Sequence, residues 1–129
     1  MVATLAKAPE RAQQSDGRLL AAAVERAAGF WGLTNDMLGS ILGLSPATVS
    51  RLRHGKWEFE PGSKPFELAQ YLVRLFRSLD SMMGSDDAAA RSWLTTRNVE
   101  LDARPLDLMA SIRGLMRVCD YVDAYRAKV

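Results

Sequence analysis

The sequence predicts an all-α protein made of two helical halves, and three features of its 129 residues support this prediction. Apolar residues recur at i, i+3 and i+4 spacing in several stretches, as on the buried face of an amphipathic helix. Serine, threonine or aspartate precedes most of these stretches and glycine follows several, as at helix ends. The stretch with strand-like alternation, residues 57–60, is short and ends at Pro61-Gly62, so we expect a loop there.

The first helix is expected from about Arg18 to Phe30. It follows residues 1–17, which are rich in alanine, glutamine and small polar residues and are predicted to form a loose arm. Leucine, valine and alanine at i, i+4 spacing provide the apolar stripe of this helix. We expect Phe30 and Trp31, at its end, to lie in the core of the N-terminal half.

Residues 33–55 predict two short helices joined by a tight turn. Thr34 is suited to cap the first helix, and Gly43 to end it in a left-handed conformation. Ser45 can cap the second helix, with Pro46 at its first position, where a missing N–H costs nothing. The apolar residues that would face inward are Met37, Leu38, Ile41, Leu42, Val49 and Leu52.

This arrangement is that of a helix-turn-helix, whose second helix enters the DNA major groove. Arginine can contact a guanine edge or a phosphate, and small hydroxyl residues let the helix approach closely. No acid occurs between Leu44 and Trp57, so we expect a basic outer face. The alternative is an ordinary helical hairpin with a solvated basic face. The residues predicted to contact DNA are Ser45, Pro46, Ala47, Thr48, Ser50, Arg51, Arg53 and His54. The stretch resembles the Xre/Cro-type helix-turn-helix family through the run Leu42-Gly43-Leu44-Ser45-x-x-Thr48-Val49-Ser50-Arg51-Leu52-x-x-Gly55.

The second half is predicted to begin with a long helix over residues 64–83, capped by Ser63. Its apolar face is broad, so it either joins the two halves or forms a dimer seam. Ser85 is predicted to cap the next helix, which ends near Thr95 or Thr96. A polar connection follows, with Val99 and Leu101 expected to tuck inward, and then a short helix begins at Pro105.

The last helix is expected from Ile112 to about Ala127, and it has two apolar stripes instead of one. A surface helix of a small monomer needs only one stripe, so the second indicates a partner surface. Tyrosine and arginine, which dominate interface hot spots, both occur in this region. The alternative is that both stripes pack within the chain.

A further resemblance lies in the segment Ala90-Arg91-Ser92-Trp93-Leu94-x-Thr96-Arg97-Asn98-x-x-Leu101-Asp102-Ala103-Arg104-Pro105-Leu106-Asp107-Leu108. It resembles the C-terminal domain of antitoxins in the Xre/MbcA/ParS group. Arg97 stands where that pattern has proline, and Asp102-Ala103 replaces Gly-Gly. With the helix-turn-helix, the resemblance covers about residues 33–129. It implies an antitoxin that blocks the cleft of a RES-type, NAD⁺-consuming toxin with its C-terminal region and represses its own operon. The second apolar stripe and this resemblance together assign toxin binding to Arg117, Tyr121, Tyr125, Arg126, Lys128 and Val129.

Composition argues against several other classes of function. The net charge of +2 is too small for a general polyanion binder, so a nucleic-acid role needs a local basic patch. The single Cys119 excludes an internal disulfide framework. One histidine, no phosphate-binding glycine loop and no Ser/His/Asp set argue against an enzyme, so no catalytic residue, cofactor or metal is expected. Residues 1–17 lack the apolar centre of a signal peptide, and no apolar run reaches membrane-spanning length, so we expect a cytoplasmic protein without membrane contact.

The predicted organisation is therefore an arm (1–17), a helix-turn-helix DNA-binding domain (18–62), a connecting or dimerisation helix (63–84) and a toxin-binding domain (85–129). The expected partners are operator DNA, a cognate RES-type toxin and a second copy in a homodimer. The alternative function is a stand-alone transcription regulator whose C-terminal half dimerises or senses a ligand.

Overall fold

A computed structural model describes residues 15–127, and this part of the chain is folded into seven helices. The all-α prediction is confirmed. Extended pairing within residues 15–127 is confined to one antiparallel bridge between Asn98 and Ala103. The helices are α1 (Asp16–Trp31), α2 (Asn35–Leu42), α3 (Pro46–Arg53), α4 (Lys64–Met82), α5 (Asp87–Thr95), α6 (Pro105–Leu108) and α7 (Ile112–Ala127).

Side-chain caps begin the first five helices. Thr34, Ser45 and Ser63 each accept a hydrogen bond from the backbone N–H three residues later, as predicted. The prediction for α5 is wrong by one residue, because Asp86 is the cap. Ser85 instead has a φ of 61° and donates its N–H to the Asp80 carbonyl at 2.8 Å, so it closes the end of α4.

Helix α1 begins two residues before the predicted start, so Asp16 and Gly17 belong to the helix and not to the arm. Residues 1–14 of that arm lie outside the described residues. Ser15 caps α1 and accepts from the Arg18 N–H at 3.1 Å. Gly17 packs directly against the 57–60 loop, where an added Cβ would lie 1.8 Å from the Phe59 carbonyl oxygen. This contact explains why a glycine stands inside the first turn of a helix.

Helix α4 is the centre of the fold. It contacts α1, α2, α5 and α7, and buried side chains face several sides of it, among them Leu72, Leu75 and Leu79. The core is one continuous cluster that includes residues of both halves. Helix α4 thus packs against helices of both halves, and α1 and α7 cover much of its apolar face.

Several apolar residues lie elsewhere than predicted. Trp31 is buried, but Phe30 is 43% exposed and stacks on Phe76 at a ring-centroid distance of 5.8 Å. Leu101 is buried as expected, whereas Val99 is 82% exposed at the tip of the connection. Met37, which was predicted to face inward, and Ile112, the first residue of the last helix, also have exposed side chains. In each case the residue stands at the edge of a stripe or in a turn, where periodicity does not define the buried side.

Within residues 15–127, no helix combines the length and apolar character needed to cross a bilayer.

Candidate functional site

The α2–turn–α3 unit has the predicted helix-turn-helix form. Gly43 ends α2 with a φ of 69° and donates its N–H to the Gly39 carbonyl. Leu38 and Leu42 of α2 and Val49 and Leu52 of α3 are all buried in the common core. The buried stripes hold the two helices together, which leaves the opposite face of α3 toward solvent.

A line of hydrogen bonds runs along this exposed face of α3. The Ser45 hydroxyl accepts from the Thr48 N–H at 3.2 Å and donates to Thr48 Oγ1 at 3.0 Å. Thr48 Oγ1 also accepts from Arg51 Nη2 at 3.1 Å. Arg51 is therefore held in the last turn of α3, where its side chain is exposed. Pro46 and Ala47 are exposed beside it, and Ser50 is half-buried.

His54 closes the other end of α3. Its backbone N–H bonds the Ser50 carbonyl at 3.1 Å, and its ring Nδ1 lies 2.7 Å from the same oxygen. Because a carbonyl oxygen can only accept, Nδ1 must hold the proton in this contact. The exposed ring therefore presents Nε2 outward, as an acceptor when the ring is neutral. Lys56, two residues later, is exposed as well.

Arg53 differs from the other basic residues of α3, because an acid of another helix lies beside it. Its Nε lies 3.1 Å from Glu25 Oε2 on α1. Its Nη1 donates to the Leu33 carbonyl at 2.7 Å and to Asn35 Oδ1 at 3.1 Å. The side chain is only 20% exposed. Arg53 thus ties the end of α3 to α1 and to the start of α2, so it positions α3 within the bundle.

The C-terminal aromatic residues form a second surface. The Tyr121 ring stacks on Trp93 of α5 at 6.2 Å and lies 6.4 Å from the ring of Tyr125. The Tyr121 hydroxyl donates to Glu100 Oε1 at 2.7 Å. Tyr121 is therefore half-buried and fixed on both sides, whereas Tyr125 is 50% exposed. Arg117, one turn before Tyr121, is exposed.

The pKa of the Tyr121 phenol is raised above its ordinary value. A hydrogen bond with Asn98 lowers it, but the hydrogen bond to the Glu100 carboxylate, partial burial and neighbouring groups together outweigh that effect. The phenol therefore stays protonated at neutral pH and remains a donor to Glu100. This contact joins α7 to the connection that follows α5.

Arg126 was grouped with the tyrosines by sequence, but the structure places it on another side of α7. Its Nη1 donates to the hydroxyl of Ser78 on α4 at 3.1 Å. Tyr125 and Arg126 are consecutive, so they lie about 100° apart around the helix. Lys128 and Val129 lie outside the described residues.

The connection after α5 brings together the two departures from the antitoxin pattern. Asp102, at one of the two glycine positions, has a φ of 56°, a conformation that aspartate tolerates better than most residues. Its carboxylate pairs with the guanidinium of Arg97, which stands at the proline position. The Asn98 N–H donates to the Ala103 carbonyl at 2.9 Å and closes the turn. The two unusual residues therefore stabilise the same turn.

Residues of this turn and of α5 also contribute to the surface, although the sequence did not assign them to it. The ring of Trp93 stacks on that of Tyr121, and Glu100 accepts a hydrogen bond from the Tyr121 hydroxyl. Val99, next to Glu100 in the chain, is exposed. The signal for Trp93 was present in the segment Ala90–Leu108, but its contact with α7 depends on the tertiary fold. No group of histidine, cysteine or acidic side chains in residues 15–127 is arranged to hold a metal ion.

Comparison with known families identifies one domain in each half of the chain. Residues 10–74 match the antitoxin Xre-like helix-turn-helix domain. Residues 78–128 match the antitoxin Xre/MbcA/ParS C-terminal toxin-binding domain. No curated protein matches the chain significantly. The first match contains α1 to α3 and covers half of the chain, and the second contains α5 to α7. The chain therefore belongs to the Xre/MbcA/ParS-type antitoxins.

Proposed function

We propose that this antitoxin binds and blocks a RES-type, NAD⁺-consuming toxin through α7 and represses its own operon through α3. The observation that supports both activities is that exposed contact residues are present on two different helices of one core. Arg51 projects from the exposed face of α3, and Tyr125 from α7. The chain is assigned no catalytic step of its own.

On the DNA side, the proposal gives the central role to Ser45, Thr48, Arg51 and His54. The hydroxyl side chains are small, so the N-terminal turns of α3 can come close to base edges. Arg51 is assigned a contact with a base or a phosphate, because it is exposed on the second helix of the motif. Arg53 is assigned a positioning role, because its guanidinium already has three partners inside the bundle. Since helix-turn-helix proteins usually bind paired half-sites, we propose that the operator is bound by a homodimer.

On the toxin side, the proposal centres on Tyr125, Arg117 and Val99. Tyr125 offers a large, rigid ring with a polar tip, and it rests against the fixed ring of Tyr121. Arginine and tyrosine are enriched among residues that dominate binding energy. A cleft that holds an anionic dinucleotide favours cations, which suits Arg117 and, at the end of the chain, Lys128 beside Val129.

A reciprocal experiment with two variants tests this division. Arg51→Ala should weaken operator binding by ~1–3 kcal/mol, about 5- to 150-fold, and leave toxin binding unchanged. Tyr125→Ala combined with Arg117→Ala should weaken toxin binding by ~2 kcal/mol or more and leave operator binding unchanged. Fluorescence anisotropy on operator DNA and calorimetry with the purified toxin would measure the two affinities.

Thermal melting of both variants is the control, because all three side chains are exposed and their loss should not change the midpoint. If the α7 variant melts early, Tyr125 belongs to the packed structure. If it still binds the toxin at the original affinity, the proposed toxin surface is wrong.

A further inference from the structure

A cleft of about 720 Å³ lies between α1, α4 and α7, lined by neither Arg51 nor Tyr125. Its apolar part includes Leu19 and Leu20 of α1 and Phe66 and Val73 of α4. Its polar part includes the guanidinium groups of Arg74, Arg77 and Arg126. Apolar and cationic side chains are thus combined in one depression that the two proposed activities do not use.

Positive charge exceeds negative charge in the polar part. Asp123 pairs with Arg74 and accepts from the Ser78 hydroxyl at 3.3 Å. The same hydroxyl accepts from Arg126 Nη1 at 3.1 Å. Within residues 15–127, neither Arg77 nor Arg126 forms an ion pair with an acid. Asp16 of α1 also lines the cleft, so its lining contains three guanidinium groups and two carboxylates, and one of these carboxylates is paired with Arg74.

The cleft is also elongated and open. Phe66 and Arg77 are eleven residues apart on α4, a distance of about 16 Å at 1.5 Å per residue. This length matches about three turns of a helix laid along α4. Leu19, on the wall, is 51% exposed. Sites for small molecules usually bury most of the ligand surface, so such an open cleft suits a larger occupant.

We propose that this cleft docks an acidic, amphipathic helix of a partner protein. The apolar face of that helix would cover Leu19 and Phe66, and carboxylates in one end turn would meet Arg77 and Arg126. This is the helix-in-groove mode of recognition, in which apolar residues at i, i+3, i+4 and i+7 provide the anchors.

Charge argues against two other possible occupants of the cleft, the chain's own residues 1–14 and a second copy of the chain. Residues 1–14 of the chain contain Lys7 and Arg11 but only one acid, Glu10, so their sign matches that of the cleft. A two-fold related copy would present the same patch, because such interfaces are formed by identical surfaces. Two such patches, each with the same excess of positive charge, would repel each other. An acidic partner is the occupant that neutralises the surplus.

The test uses the full chain and a labelled synthetic helix of about 12 residues, with leucines on one face and glutamates in its last turn. A peptide with lysines in place of the glutamates is the matched probe. Fluorescence anisotropy should show binding of the glutamate peptide and at least tenfold weaker binding of the lysine peptide. Arg77→Glu and Leu19→Asp should each weaken binding of the glutamate peptide at least fivefold. Arg113→Glu, the same charge change at an exposed position outside the cleft, should have no effect.

Both cleft side chains are exposed and can be changed without opening the core. Equal binding of the two peptides, or full binding by the Arg77→Glu variant, would overturn the proposal. If the peptide binds only after residues 1–14 are removed, those residues occupy the cleft in the full chain. If Leu19→Asp dissociates a dimer in sedimentation and no peptide binds, the cleft belongs to a second copy. Either of these two results also rejects an acidic partner.

Discussion

Replacing Arg53 with alanine is the most informative change in the helix-turn-helix. The guanidinium joins three parts of the bundle, because it bonds Glu25 of α1, the Leu33 carbonyl before α2 and the Asn35 side chain at the start of α2. Arg51, two residues earlier, bonds only Thr48 on its own helix among residues 15–127. The two arginines look equivalent in sequence, but only Arg53 should contribute to the free energy of unfolding.

The expected magnitude follows from the exposure of each partner. The Arg53–Glu25 ion pair contributes less than about 1 kcal/mol, because the Glu25 side chain is 38% exposed and solvent screens the charge. The two bonds to neutral acceptors, at 2.7 and 3.1 Å, contribute ~1 kcal/mol each. Arg53→Ala should therefore lower the free energy of unfolding by ~2–3 kcal/mol. Arg51→Ala should change it by less than ~0.5 kcal/mol, as is usual for an exposed side chain.

Urea denaturation monitored by circular dichroism would measure both values. A double-mutant cycle with Glu25→Gln should show coupling with Arg53→Ala and none with Arg51→Ala. An Arg53→Ala variant with unchanged stability but weakened operator binding would refute the positioning role. That result would instead support the original prediction that Arg53 contacts DNA.

Three other changes test separate features of the fold. Gly17→Ala should lower the free energy of unfolding by ~2–3 kcal/mol in urea denaturation, because its Cβ would meet the Phe59 carbonyl and the backbone would have to move. Asp102→Ala should cost ~1 kcal/mol in the same assay and Asp102→Gly much less, because only glycine takes a positive φ without strain. Burial raises the pKa of the Cys119 thiol from 9.0 to about 11, so the folded state favours the neutral thiol. The contribution of this thiol to the free energy of unfolding should be fully present below pH 9 and should decrease by ~2–3 kcal/mol as the pH rises to 11. In the Cys119→Ala variant, this pH-dependent decrease should be absent.

Local signals predicted much of this fold. Thr34, Ser45 and Ser63 are caps because a hydroxyl before a helical stripe has a backbone donor within reach. Gly43 ends α2 because the turn needs a left-handed residue. These contacts join residues within about four positions of one another, so the sequence pattern contains both partners.

Local sequence signals could not predict contacts between residues that are far apart in the chain. The partner of Arg53 on α1 is 28 residues away, and no periodicity relates the two. The same limit applies to Arg126, whose bond to Ser78 spans 48 residues and separates it from Tyr125. Val99 was expected inside because it is apolar, but the turn closed by Asn98 and Ala103 directs it to solvent. Helix faces could be predicted from spacing, whereas the neighbour of each face depends on how the helices assemble.

The most direct test of the proposed antitoxin activity is a titration of a purified cognate RES-type toxin with the full chain. NAD⁺ consumption would be followed at each ratio of the two proteins. We predict complete inhibition at a fixed stoichiometry, and incomplete inhibition at the same ratios by the Tyr125→Ala, Arg117→Ala variant. Unchanged NAD⁺ consumption at saturating antitoxin would contradict the proposed function.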